Sequence, residues 1–265
     1  MDTVNPLAVV TGASSGIGYE LAKQFAEHGF DLVIAAEDAA IASAAATLLN
    51  QGTGVEAVQT DLTTGEGVEK LHRAITATRR PVAAAALNAG VGQGGPFLET
   101  DLADEMEIID LNITSTVRLA KLLLPDMVED GEGRILITSS IASTMPGSFQ
   151  AVYNASKSFL QSFAQALQNE LKDTGVTVTS LMPSPTETEF FERADMLDTK
   201  VGRSDKDDPA QVAAQGFEAM MAGKDKVVAG SWKTKAQGLA NRVLPDSVKA
   251  EIHRGMAEPG SGAAG

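Results

Sequence analysis

Apolar residues fall in short runs separated by longer stretches whose apolar positions recur at helical spacing. Leu7–Val10 reads as a first strand and Ile17–Gly29 as the helix after it, with Gly29 as the C-terminal stop. Asp31–Ala36 is the second strand, followed by an alanine-rich helix from about Asp38 to Asn50. Val55–Gln59, Val82–Leu87, Arg134–Thr138 and Val176–Leu181 read as further strands. The segments near 66–79, 101–129 and 149–173 carry helical spacing between them. Such alternation predicts an α/β fold: a doubly wound parallel sheet in three layers, with ligands beyond the carboxyl ends of the strands. No internal repeat and no Pro-, Gly- or Ser-rich linker interrupts it, so residues 1–256 are expected to form a single domain.

Composition narrows the chemistry. At 265 residues, 43% hydrophobic and 21% charged, the chain can bury a substantial core, which rules out disorder throughout. It has no cysteine, so disulfides, thiolate nucleophiles and zinc–cysteine sites are excluded, and no metal site is expected. Lys and Arg number 21 against 35 Asp and Glu, a net charge of −14 that repels phosphate backbones and argues against nucleic acid as a partner. The start, MDTVNPLAVV, does not read as a signal peptide. The longest charge-free run, Ile135 to Ser156, is interrupted by Ser, Thr, Pro146 and Gly147, so no membrane span is expected and the location expected is cytoplasmic.

The end of the chain differs in sign. Lys224 to Met256 holds seven Lys or Arg and three Asp or Glu, about +4 within an acidic protein. A basic extension is therefore expected from about 231, with a short helix from Lys235 to Leu244 packed on its own domain or a sister subunit. Residues 257–265 (AEPGSGAAG) have the composition of a flexible tail.

The first candidate site is Thr11-Gly12-Ala13-Ser14-Ser15-Gly16-Ile17-Gly18, directly after the first strand and opening the first helix. Glycines suit a tight turn, and they let a pyrophosphate approach main-chain N–H groups at a helix N-terminus. This makes the fold Rossmann-type and the turn a dinucleotide site. Gly12-Ala13-Ser14-Ser15-Gly16 also fits the G-x-S-x-G elbow of serine hydrolases, which would make Ser14 a nucleophile. That reading needs a histidine just after a strand, and His28, His72 and His253 do not stand in such places.

The second candidate site joins Ser140, at the end of the strand ILITSS, to Tyr153 and Lys157, which share a helix face at a spacing of four. A phenol of pKa ~10 exchanges protons poorly near neutrality. A Lys ammonium at ~4 Å favours phenolate by about 4 kcal/mol at an effective dielectric of ~20, enough for ~3 pKa units. Tyr153 can then serve as acid and base, with Ser140 holding a carbonyl or hydroxyl oxygen beside it.

With these motifs in order, the chain resembles the short-chain dehydrogenase/reductase family from about residue 7 to 190. TGASSGIG matches the family's cofactor turn, Asn88-Ala89-Gly90 its N-A-G after the fourth strand, and Asn112 its helix asparagine. Ser140, Tyr153 and Lys157 match its catalytic set. The resemblance implies an NAD(P)-dependent oxidoreductase interconverting a carbonyl and an alcohol. Tyr153 would exchange the substrate proton, and Lys157 would hold the nicotinamide ribose and depress the tyrosine pKa. Asn112 would carry a relay water, and Asp61, beside Leu62, would bind adenine. Gly12, Ser14, Ser15, Gly16, Ile17, Gly18, Asn88, Ala89 and Gly90 would cradle the cofactor with Pro183, Thr186 and Thr188, the last at the carboxamide.

The resemblance also implies a homo-oligomer, although the usual glycine-rich ending is replaced here by the basic tail, and the family's Pro-Gly reads Pro183-Ser184. Strand two ends Ala35-Ala36-Glu37-Asp38, with neither the acid of NAD-preferring members at Ala36 nor the arginine of many NADP-preferring members at Glu37. A 2′-phosphate beside Glu37 and Asp38 is electrostatically unfavourable, so NAD is expected over NADP. Substrate contacts are expected from Gln93–Leu98, Met145–Gln150 and a lid at Glu187–Asp208, with Phe190, Phe191, Met196 and Leu197 as its apolar inner face or as core. The competing class is a catalytically silent dinucleotide sensor on the same fold, and the hydrolase stands third.

Overall fold

The computed structural model describes residues 5–50, 52–231 and 244–263. Strands β1 (Leu7–Thr11), β2 (Asp31–Ala36), β3 (Val55–Gln59), β4 (Val82–Leu87), β5 (Gly133–Thr138), β6 (Val176–Pro183) and β7 (Lys226–Ala229) form one sheet in the order β3-β2-β1-β4-β5-β6-β7. Every pairing is parallel, so every connection crosses over a face and both faces are covered. Strand order reverses between β1 and β4, which opens a crevice at their carboxyl ends.

Period-two alternation divides the core. Ala8, Val10, Ile34, Ala86 and Leu136 point to one face, where α1 (Gly16–Glu27), α2 (Ala40–Leu49) and α9 (Pro209–Met221) cover them with Leu21, Phe25, Leu48 and Phe217. Val9, Val33, Ala85 and Ile135 point to the other, beneath α3 (Gly65–Ala77), α5 (Ser115–Asp130) and α6 (Ala151–Glu170). Alanines fill much of β4, so the helices on both faces approach the crevice closely.

Three departures from the sequence reading shape the site. The helical stretch 101–129 is α4 (Leu102–Ile108), a π turn at Ile109–Thr114, then α5. After β6 the chain makes two single turns, α7 (Phe190–Arg193) and α8 (Lys200–Arg203), before α9 and β7, neither of which the pattern had marked. The basic extension contains α10 (Asp246–Ala257), while the helix expected from Lys235 lies, up to Val243, outside the described residues.

The described part of the tail is hydrogen-bonded to the segment before α8: the N–H of Gly260 donates to the Asp198 carboxylate at 2.6 Å and that of Gly262 to the Asp198 carbonyl at 2.9 Å. The Ser261 hydroxyl accepts from the N–H of Lys200 at 3.0 Å, so the tail holds the start of α8. Among the described residues no helix is long and apolar enough to cross a membrane.

Candidate active site

The turn after β1 needs its glycines for two physical reasons. Gly12 and Gly16 sit at φ +65° and +55°, and a Cβ on Gly18 would overlap the Gly12 carbonyl and come within 2.6 Å of Asn88 Nδ2. The N-cap of α1, Ser15, makes no side-chain cap, so the first-turn N–H groups face the crevice without that partner. An uncapped helix N-terminus bordered by Gly12, Ser14, Ser15, Gly16, Ile17 and Gly18 fits the pyrophosphate of a dinucleotide.

Those residues form one end of a cavity of about 790 Å³. Glu37, Leu62, Asn88, Ala89, Gly90, Pro183, Thr186 and Thr188 also line it, as do Ser140, Tyr153 and Lys157. Most of the sequence-predicted set is therefore in one place. Neither Asn112 nor Asp61 lines it; the Oδ1 of Asp61 accepts from the N–H of Thr63 at 2.8 Å and from the Thr63 hydroxyl at 2.7 Å. It shapes its own turn, while its neighbours Thr60 and Leu62 line the cavity.

The two asparagines hold the crevice together. Asn88 accepts from the Thr138 hydroxyl at 3.0 Å, and its N–H donates to the Thr11 hydroxyl at 2.9 Å, stitching the ends of β1, β4 and β5. Asn112 is fully buried in the π turn. Its Oδ1 accepts from the N–H of Val91 at 2.9 Å, and its Nδ2 donates to the Val91 carbonyl and to Ser156 Oγ, both at 3.0 Å. The Asn112 side chain is thus spent on positioning the loop after β4.

Ser140 caps the 3₁₀ turn Ile141–Thr144, its Oγ accepting from the N–H of Ala142 at 3.1 Å, and its side chain lies close enough to the Tyr153 phenol to favour the ionised form. Burial pushes the phenol up to about 12, against a smaller downward pull from Ser140. Lys157 Nζ donates to the Thr138 carbonyl at 3.0 Å and lies 5.8 Å from the Tyr153 ring centroid. Burial brings the ammonium down to about 8. Desolvation is thus the larger influence on the phenol, and the lysine addresses the ring face and the Thr138 carbonyl.

Ser14, the elbow candidate, donates its hydroxyl to Asp38 Oδ2 at 2.7 Å. His28 is bonded through Nδ1 to the Gln24 carbonyl at 2.8 Å and His253 through Nδ1 to the Ser148 carbonyl at 2.9 Å, so neither orients this serine. The loop Gln93–Leu98 is also corrected. Val91 and Gly92 line the cavity, whereas Leu98 is 95% exposed. The lid expectation divides: Phe190 and Phe191 face the cavity, Met196 is core and Leu197 points to solvent. His253, Met256 and Ala257 of α10 line the cavity too, although nothing in the basic tail's spacing had marked them.

A family model for short chain dehydrogenases matches residues 6–197. The chain belongs to this family. Sulfoacetaldehyde reductase 2 of Chromohalobacter salexigens is 32% identical over 189 residues, covering 71% of this chain and 75% of that protein. A solved short-chain dehydrogenase from Sphingobium yanoikuyae in complex with NADPH is similar with a TM-score of 0.78 at 30% identity, over 84% of this chain and 87% of that one. A short chain dehydrogenase/reductase from Burkholderia phymatum in complex with NAD gives 0.83 at 26% identity, over 98% and 99%. This short-chain dehydrogenase is thus an oxidoreductase that uses a nicotinamide dinucleotide, which sets aside the silent sensor.

Proposed function

We propose that the enzyme interconverts a carbonyl and an alcohol, with Tyr153 as acid and base, and that it prefers NAD to NADP. The gathering of Ser140, Tyr153 and Lys157 on one wall of the cavity carries the first part. The dinucleotide, when bound, supplies or accepts the hydride. In reduction, Ser140 and Tyr153 hold the carbonyl oxygen, and the phenol gives it a proton as the carbon is reduced. Lys157, protonated below about pH 8, is the cation that stabilises the phenolate left behind. In oxidation the same proton returns to Tyr153. A curated relative bearing the name of an aldehyde reductase supports a carbonyl substrate.

The cofactor preference rests on charge. Ser14, Ser15, Ala36, Glu37, Asp38 and Thr60 line the cavity beside the glycine turn and include no Lys or Arg. The exposed Glu107 of α4 has its carboxyl raised by partial desolvation and by the charges of Glu37, Asp104 and Asp61, which marks this end as anionic. A homo-oligomer is part of the same proposal, supported by the exposed Phe159 stacked on Phe163 at 6.0 Å along α6. Following NADH and NADPH consumption over a panel of aldehydes and ketones tests the reading. Carbonyl-dependent oxidation of NADH, lost in Tyr153→Phe, is the result expected.

A further inference from the structure

The wall of the cavity away from the glycine turn is built partly by the C-terminal helix. Ala257 and His253 lie one turn apart on the inner face of α10 and are both buried, with Met256 beside them. Three contacts fix that face to the loop that starts α6. His253 Nδ1 meets the Ser148 carbonyl at 2.9 Å, the Ser148 hydroxyl donates to the Ala250 carbonyl at 3.2 Å, and the Arg254 guanidinium lies 5.1 Å from the Phe149 ring centroid. Phe149 takes φ +64°, a left-handed conformation that is costly for a side chain of its size, and Gln150 follows it on the cavity wall.

A carbonyl only accepts, so Nδ1 carries the proton of the neutral ring and Nε2 is left as a lone-pair acceptor. Burial holds the imidazole below its ordinary range, partly opposed by the Ser148 carbonyl. Nε2 has no partner among the described residues, and it is not one of the fully enclosed polar atoms. In a side chain that lines the cavity and is anchored by its other nitrogen, that atom is the one open to a ligand.

Two cations of the same wall are paired with carboxylates, while Lys200 and Asp205 border it as well. Arg193 pairs with Glu189 at 2.6 Å, and Lys206 with Glu187 at 3.6 Å while lying 5.3 Å from the Phe191 ring centroid. Phe190, Phe191, Met145, Val201 and Met256 make much of the remainder apolar. A neutral acceptor in such surroundings selects a neutral donor.

We propose that His253 recognises the substrate, its Nε2 accepting a hydrogen bond from a hydroxyl carried by the carbonyl compound away from its reacting carbon. The substrate class is then a hydroxyketone or hydroxyaldehyde, reduced to a diol. This rests on the reading of Ser140 and Tyr153 as the carbonyl site. A site built to bond a hydroxyl leaves its buried partner unsatisfied when the hydroxyl is missing, and so discriminates against the parent compound.

The test uses the full chain with butan-2-one, pentan-2-one and hexan-2-one beside their ω-hydroxy derivatives. His253→Asn keeps an amide donor for the Ser148 carbonyl but deletes the acceptor at the Nε2 position, and His253→Gln returns an amide oxygen to that region. The wild-type enzyme is expected to favour at least one hydroxyketone over its parent. In His253→Asn the ratio of the two kcat/KM values falls about tenfold or more, and His253→Gln recovers part of it.

With only three histidines in the chain, ¹⁵N-histidine spectra give a readout that needs no turnover. The Nε2 resonance absent from His253→Asn should be of the unprotonated type at neutral pH. It should move when the preferred hydroxyketone joins the complex with oxidised cofactor, but not with the parent ketone. A protonated Nε2 overturns the proposal. So does an unchanged ratio in His253→Asn, or a wild type that favours the parent ketone or reduces none of the six while its Nε2 resonance stays still. Loss of all reduction in Tyr153→Phe together with an unchanged ratio in His253→Asn removes this proposal and leaves the carbonyl site standing. Retained reduction in Tyr153→Phe removes the site reading itself.

Discussion

On the proposed preference for NAD, replacing Glu37 by arginine should shift the adenosine end of the cavity toward NADPH. Glu37 is exposed and Asp38 half-buried, and both line the cavity beside Ser14. For a carboxylate that meets a 2′-phosphate at about 4 Å, each pair of unit charges costs about 1 kcal/mol in water and about 4 kcal/mol near a protein surface. Taking the lower limit for both residues gives about 2 kcal/mol against NADPH, roughly thirtyfold in affinity. In Glu37→Arg one repulsion of about 1 kcal/mol becomes an attraction of the same size, so NADPH should bind roughly thirtyfold tighter with a much smaller change for NADH. Fluorescence titration of both reduced cofactors, at low salt and again at high salt, reads this directly, and screening should narrow the difference. Equal or tighter binding of NADPH by the wild type would refute the reasoning, because no charge argument would then be needed at Glu37.

Four other substitutions probe the same site. Gly18→Ala places a Cβ against the Gly12 carbonyl and Asn88, so it should lower stability by about 1–3 kcal/mol and weaken dinucleotide binding; an unchanged melting temperature would mean that the turn is looser than described. Ser14→Ala removes the 2.7 Å bond to Asp38 and should cost about 1 kcal/mol in thermal unfolding, whereas a loss of all activity with NADH binding intact would revive the nucleophile reading. The buried pair also sets an alkaline signature. Tyr153 is raised from 10 to about 12, so the unfolded chain releases that proton first and stability falls from pH 10 to 12, a fall that Tyr153→Phe should reduce. Lys157 is lowered from 10.5 to about 8, so its contribution rises between pH 8 and 10.5, and Lys157→Met should flatten that rise in calorimetric scans.

The central strands β2 and β4 were read to the residue because they demand apolar runs, and β3 at one edge was read to the residue from five residues, VEAVQ. β7 was not, because four residues at a sheet edge, Lys226 to Ala229, leave too short a pattern. The glycine turn and the Ser140, Tyr153 and Lys157 set were legible because they follow one another in the order that resembles the family's, each beside a strand end or on one helix face. The bend around Asn112 was hidden, since a π turn keeps the helical composition while shifting register. Asp61 was named from its motif, and what spacing could not show is that the hydroxyl and N–H of Thr63, two residues on, hold its Oδ1. His253 was unreadable for a plainer reason: its role depends on how α10 docks against Ser148, more than a hundred residues away in the chain.

The central claim, proton exchange through Tyr153 beside Ser140, is tested most directly by the rate of carbonyl-dependent NADH oxidation in Tyr153→Phe, measured alongside NADH affinity. The ring stays packed against Phe190 at 5.1 Å while the hydroxyl that meets Ser140 is gone. The expected result is a rate reduced by about 10²-fold or more with NADH still bound, in keeping with the usual contribution of a positioned acid. A rate within about tenfold of the wild type, at undiminished NADH affinity, would contradict it.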